Sequence, residues 1–196
     1  MTGDELRRAA GLAQQLIAQA PDPRAPVPLM ADDVAGVVSH LVTTLVSYAQ
    51  DLAAGPVRTD AFTLSGRPDA DLPERLRQLG GAAEVLARTV DAAAPGDRGW
   101  HAWGIADASG FAGMGCAELL VHAGDVAEAL ALPWAPPADL ADAVLARLFP
   151  WAETDGEPAA ILRWATGRSA LPACEPLASW RWHCAPLEEW DGVRPR

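Results

Sequence analysis

The sequence predicts an all-α protein built on a four-helix bundle. Three observations carry this. Four long segments repeat apolar residues at the helical period. Pro, Gly or Asp residues of the kind that start and stop helices flank them. Only one stretch, near the C-terminus, alternates with the period of two expected of an extended chain. The 196 residues, 50% of them hydrophobic, suffice for one domain with a sizeable core. A single helical unit over residues 1–196 is expected, with 169–196 as a tail packed on the bundle.

In the first helix, predicted over 4–20, Leu6, Ala9, Ala10, Ala13, Leu16, Ile17 and Ala20 share a face, and Thr2 with Glu5 has the spacing of a capping box. The prolines of "PDPRAPVPL" stop it and imply an extended connector. A second helix over 31–54 lines up Val34, Val37, Leu41, Leu45, Tyr48 and Leu52 and ends at Gly55-Pro56. The segment "VRTDAFTLSGRPDAD" reads as a loop with a short extended piece. Asp71 opens a third helix, with Glu74 at the capping-box position and a stripe of Leu72, Leu76, Leu79, Leu86 and Val90. Gly80-Gly81 weakens its middle. "AAPGDRGWHAWGIADASG" is expected to be a loop before a fourth helix over about 110–131, which "LPWAPP" breaks. Two shorter helices follow near 137–149 and 157–166, with Gly167 as C-cap. In the tail, "LASWRWHCAPLEEW" alternates Trp180, Arg181, Trp182, His183 and Cys184, which implies a strand or strap.

The formal net charge of −11 excludes the cationic footprint of a nucleic-acid binder. No run reaches the length of a membrane span, and "MTGDELRRAAGLAQQL" lacks the apolar region of a signal peptide. A cytoplasmic protein is expected, monomeric or homodimeric. Cys116, Cys174 and Cys184 have no metal-like or CxxC spacing. Cys116, in the fourth helix, is expected to pack in the core.

Chemistry concentrates in "CAELLVHAGDVAEAL", residues 116–130. Glu118 and His122 are four apart and point the same way, with Asp125 beside them, on a helix otherwise apolar nearly all round. A buried carboxylate without a partner is costly, so this stripe needs a cation. Either an Arg or a metal ion would serve. His40, at the edge of the second helix's apolar face with Thr44 and Asp51 on its side, is a candidate third ligand. Two His and one Glu from facing helices are a common set for Zn²⁺ or a similar ion, with a coordination position left open. Asp125 either supports a ligand from outside the coordination sphere or pairs with an Arg across the bundle. His101, between Trp100 and Trp103, either lines a pocket mouth or lies exposed on its loop. Arg181 and His183 share one face of the tail, opposite Trp180 and Trp182; they either contact an anionic substrate or cofactor or tie the tail down.

"ADDVAGVVSHLVTTLVSYAQDLAAG" and "WHAWGIADASGFAGMGCAELLVHAGDVAEAL" resemble the mycothiol-dependent maleylpyruvate isomerase family, within the DinB/YfiT-like superfamily of four-helix metal-binding proteins, and "WRWHCAPLEEW" resembles the tails of small single-domain relatives. The resemblance implies a DinB/YfiT-like bundle and metal ligands at His40, Glu118 and His122. It also implies a divalent ion, zinc above others, mycothiol as thiol cosubstrate, and isomerisation of, or S-transfer to, a small electrophile. A noncatalytic metal- or small-molecule-binding protein and a metal-dependent hydrolase are the alternatives on this fold. Two departures stand out. Gly124 replaces the bulky aromatic that relatives often carry before the Asp, which implies more room near the metal. The chain is also expected to end before the second, C-terminal domain of the isomerase itself.

Overall fold

The computed structural model describes all residues except Asp60, Phe62, Glu153, Thr154, Ala173 and Arg196. Four long helices form the bundle: α1 (Gly3–Ile17), α2 (Val34–Ala54), α3 (Leu72–Ala92) and α4 (Ala108–Ala129). Two shorter ones, α5 (Ala138–Leu148) and α6 (Pro158–Ala165), follow. This is the all-α, DinB/YfiT-like class expected from the sequence. Among the described residues, no helix is long and apolar enough to cross a membrane.

The helix starts are chemically explicit. Asp33, Asp71 and Asp107 stand at the N-caps of α2, α3 and α4, and each side chain accepts from the backbone N–H three residues on, at 2.7–2.8 Å. Thr2 and Glu5 close α1 as predicted, the Glu5 carboxylate accepting from the Thr2 backbone N–H at 2.7 Å. The second helix starts three residues later than its periodicity implied. The chain first folds back on itself as β1 (Pro26–Val27) against β2 (Asp32–Asp33), around a 3₁₀ turn at Pro28–Met30. Gly80-Gly81 does not interrupt α3. Leu76, Leu79, Ala82, Ala83 and Leu86 are all buried around it, and their packing outweighs the roughly 1 kcal/mol that each helical Gly costs.

Both α1 and α2 pack against α3 and α4, while α1 and α2 barely touch each other. The helix with the chemistry is thus the most enclosed one, buried on nearly every side from Gly110 to Ala127. Close approach is built into its sequence. A Cβ at Gly115 would sit 2.6 Å from Leu6, 2.9 Å from Leu86 and 3.2 Å from Leu45, which are side chains of the other three bundle helices.

Two regions differ from the sequence reading. The expected loop before α4 contains an antiparallel hairpin, β3 (Gly99–His101) with β4 (Gly104–Ala106), joined through Ala102 and Trp103. Gly99 allows this hairpin to lie on the end of α2, because a Cβ there would collide with Leu52 and the Asp51 carbonyl at 2.7 Å. The expected extended piece between α2 and α3 has no strand among its described residues; Asp60 and Phe62 lie outside them.

Among its described residues the tail forms no strand beyond an isolated bridge between Leu171 and Cys174, yet it keeps the period-two alternation as a strap. Trp182 and Cys184 are buried, and Arg181 is exposed. The strap is pinned by its backbone. The His183 N–H donates to the Leu148 carbonyl at 2.7 Å. Buried Arg147 bridges the carbonyls of His183 and Cys184 to the N-cap carboxylate of Asp107, at 3.3, 3.0 and 2.5 Å. One α5 guanidinium therefore ties the tail to the start of α4.

Candidate metal centre

The α2–α4 contact brings His40, Glu118 and His122 together. Their ligand atoms all lie within 4.8 Å of one another. Glu118 Oε2 sits 3.0 Å from His122 Nε2 and 3.3 Å from His40 Nε2. The imidazole rings meet nearly at right angles with centroids 5.0 Å apart, so both edges face the carboxylate. Tyr48, one α2 turn beyond Thr44, donates its hydroxyl to the other carboxylate oxygen, Oε1, at 3.3 Å.

Glu118 has a side chain only 12% exposed, and among the described residues no Arg bonds to it. Its partners are two imidazoles and a phenol. That donor set, two nitrogens and one oxygen converging on one space with no fixed cation, fits a borderline divalent ion. His40, 42% exposed at the side chain, stands on the open side of the cluster.

Asp125 contacts both His122 and an Arg. Its carboxylate, fully buried, lies 2.9 Å from His122 Nδ1. It also accepts from Arg168 Nη2 at 3.1 Å and Nε at 3.3 Å. The first contact holds the His122 ring with Nε2 toward Glu118, as outer-shell carboxylates do for ligating imidazoles. The second offsets the buried charge. Arg168 follows α6 and was not identified from the sequence. The available signal was the need of a buried Asp125 for a cation, which does not say which Arg supplies it.

The electrostatics follow from these contacts. Burial alone would raise the Glu118 carboxyl, but the bonds from His122 and His40 overcome it and hold the group at about 2. Burial would likewise lower His122, and Asp125 and Glu118 together raise it above its ordinary value. Asp125 is held low, burial being outweighed by His122 and Arg168. The Tyr48 hydroxyl is pushed well up by burial and by neighbouring Glu118, which keeps it a donor.

A pH dependence follows for metal-free protein. The raised His122 stabilises the fold fully below the unfolded imidazole pKa of about 6.5, and that contribution is lost as pH rises through the higher folded value. The depressed carboxylates act in the opposite sense. Their contribution is present above unfolded values of about 4 and is lost as pH falls toward the folded value, about 2 for Glu118. Chelated protein is therefore expected to lose stability on going from pH 6 to pH 9. Saturating zinc should remove that alkaline loss, because an ion in place of the Nε2 proton leaves the cluster charge-balanced. Urea unfolding across this range, with chelator and with zinc, checks it. A flat profile in chelator would show that His122 carries no second proton in the cluster.

A cavity of about 260 Å³ opens beside the triad, lined by Met30, Trp103, Val121, Arg168, Trp180 and Trp182 among others. The other expected site residues lie elsewhere. Arg181 is exposed and turned to the outer surface. His183 is spent on the tail, its Nε2 3.2 Å from the Pro186 carbonyl. Neither lines the cavity, because the strap turns its tryptophan face inward, and the residues to be read from the alternation were Trp180 and Trp182. His101 is not exposed on a loop. It sits half-buried in β3, edge-on to Tyr48 and in contact with Trp103 and Trp182 behind the cavity wall, and burial pushes its imidazole down to about 4. Gly124 leaves no room at the triad. It lies against Trp134 and Arg163 at the edge of a second cavity, which shares Val121 with the one beside the triad. Cys116 is fully buried in the core and held protonated.

A family model described as "Mycothiol maleylpyruvate isomerase N-terminal domain" matches residues 3–127. The match runs from α1 into the last turn of α4, so it contains His40, Glu118, His122 and Asp125 and ends before Arg168 and the tail. No curated protein and no solved structure matches the chain.

Proposed function

The chain belongs to the family of the mycothiol maleylpyruvate isomerase N-terminal domain, and from that premise we propose that it is a divalent-metal-dependent enzyme using a low-molecular-weight thiol, mycothiol, on a small electrophilic substrate. The observation that carries this reading is Glu118. It is a buried carboxylate facing two imidazole nitrogens and no fixed cation, with a cavity alongside.

His40, Glu118 and His122 would hold the ion. Bound there, a divalent ion lowers the pKa of a thiol that reaches it and polarises a carbonyl. The chain's own residues do the rest. Asp125 holds His122 in one tautomer and orientation. Tyr48 fixes the second Glu118 oxygen. The tryptophans of the turn and strap exclude water from the reacting atoms. The thiol sulfur would bond to an electrophilic carbon of a conjugated substrate, turning the double bond into a single bond that rotates. Expulsion of the thiolate gives the geometric isomer. Proton uptake instead leaves the S-conjugate. Cys116 cannot serve as the thiol, being buried in the core with burial raising its pKa.

The test is metal analysis of protein purified without chelator, for wild type, His40→Ala and His122→Ala. About one ion per chain is expected in wild type, and little in either variant. Undiminished metal in both would remove the site. Titrating small thiols into cobalt-substituted protein should change its visible spectrum. The absence of any change would favour hydrolysis by bound water, or simple binding, over thiol chemistry.

A further inference from the structure

We propose that the cavity beside the triad takes an uncharged, planar, apolar ligand of about one ring, such as an arene or a conjugated ester, and turns carboxylates away. This deepens the reading above and relies on it for the chemistry, but the selectivity itself is measurable without turnover.

The wall opposite the triad is three indoles in mutual contact. Trp103 and Trp182 have centroids 4.6 Å apart, Trp103 and Trp180 5.4 Å, and Trp180 and Trp182 5.5 Å. Met30, Ala117 and Val121 complete the apolar lining. Flat, polarisable faces of this kind suit a planar ligand stacked or edge-on. At about 260 Å³, the space lies below the usual 300–1,000 Å³ of sites for drug-sized ligands. This volume does not hold the sugar portion of a thiol such as mycothiol together with an electrophile, which leaves this cavity to the electrophile.

Charge decides the second half of the proposal. Arg168 is the one Arg lining the cavity among the described residues, and its charge is paired with the buried carboxylate of Asp125. Nε and Nη2 bond to Asp125, and Nη1 donates to the Thr166 carbonyl at 2.7 Å. The Thr166 hydroxyl is likewise spent, on the carbonyls of Leu162 and Arg163. An entering carboxylate would exchange water for indole faces, meet a guanidinium whose charge Asp125 already balances, and in chelator lie in the same cavity as the Glu118 carboxylate, which is unfavourable for a second negative charge. Thr166, Arg168, Trp180 and Trp182 all follow residue 127, where the family match ends. The cavity wall is therefore shared between the matched region, which supplies Met30, Trp103, Ala117 and Val121, and the part of the chain beyond it.

The experiment is calorimetric titration of the full chain with methyl cinnamate, cinnamate and fumarate, in excess chelator and again with saturating zinc, for wild type, Trp103→Ala and Val121→Phe. In chelator, methyl cinnamate is expected to bind at least about tenfold more tightly than fumarate, with cinnamate between them. Either substitution should weaken methyl cinnamate by about tenfold, one by removing a ring and the other by filling the space. Trp103 stands on a partly exposed turn, so its truncation leaves the bundle packing intact. Fumarate binding as tightly as methyl cinnamate in chelator, no measurable methyl cinnamate binding, or undiminished binding in both variants would each overturn the proposal. The zinc arm addresses the reading of function separately. Retained selectivity without zinc uptake would sink the metal enzyme and spare the pocket, and zinc uptake with the selectivity reversed in chelator would do the opposite.

Discussion

Glu118→Gln is expected to lower affinity for zinc by more than about a hundredfold and to abolish activity with the fold intact. The bound exceeds the ten- to hundredfold typical of losing only an outer-shell partner of a ligand, because here a ligand and its charge both go. The amide keeps nearly the same shape beside Tyr48, His40 and His122, so packing of α2 on α4 should persist. Stability in chelator discriminates the reading from its main rival. Were Glu118 the partner of a buried Arg, the amide would strand that cation at about 3–5 kcal/mol. Its actual neighbours are imidazoles and a phenol, and an imidazole can release its proton. The chelated variant is therefore expected to lose no more than the roughly 1–3 kcal/mol of a missing charged hydrogen bond, and less at pH 9 than at pH 6. Metal analysis with urea unfolding at both pH values measures this. Unchanged metal content with a large, pH-independent loss of stability would show that Glu118 is structural.

Arg168→Met should produce the largest loss of stability. Asp125 is 1% exposed and relies on Arg168 for two of its hydrogen bonds. Removing the guanidinium leaves a buried carboxylate with His122 alone, a change that costs about 3–5 kcal/mol when a buried pair is broken from one side. A second effect reaches the site. With Asp125 no longer held, the His122 ring loses its fixed orientation, and zinc affinity should fall by about ten- to hundredfold. The double variant Asp125→Leu/Arg168→Met removes both charges and should recover most of the stability but none of the zinc affinity, since apolar replacement of a whole buried pair is often neutral or better. Urea unfolding in chelator, paired with zinc titration, separates the two effects. A loss under about 1 kcal/mol for Arg168→Met would mean that Asp125 does not depend on this arginine.

Much of the bundle was legible without coordinates because helices declare themselves locally. The stripes of α1, α2 and α3 are i, i+3, i+4 repeats, and Thr2 and Asp71 mark the starts of α1 and α3, so those helix positions follow from neighbours in the chain; Asp33 and Asp107 cap α2 and α4 in the same way, at 34 and 108 where the periodicity implied 31 and about 110. The hairpin at 99–106 was missed for the opposite reason. Its strands are three residues each, too short for a periodic signal, and they exist because Gly99 fits against Leu52 and the Asp51 carbonyl.

The candidate ligands divide along the same line. Glu118 and His122 share a face by helix geometry alone, and an enclosed carboxylate announces its need for a cation. His40 was a candidate by its place at the edge of the apolar face of α2, but no local rule says which face of α2 meets α4, and only the resemblance paired it with them. Tertiary structure alone decided the rest. It chose Arg168 as the partner of Asp125, turned Gly124 toward Trp134 rather than the triad, and sent Arg181 outward while Trp180 and Trp182 close the cavity. The alternation of the tail told which residues share a face, but not which face turns inward. Arg147 decides that by pinning the His183 and Cys184 carbonyls to Asp107, a bond between segments far apart in sequence that only the folded chain brings together.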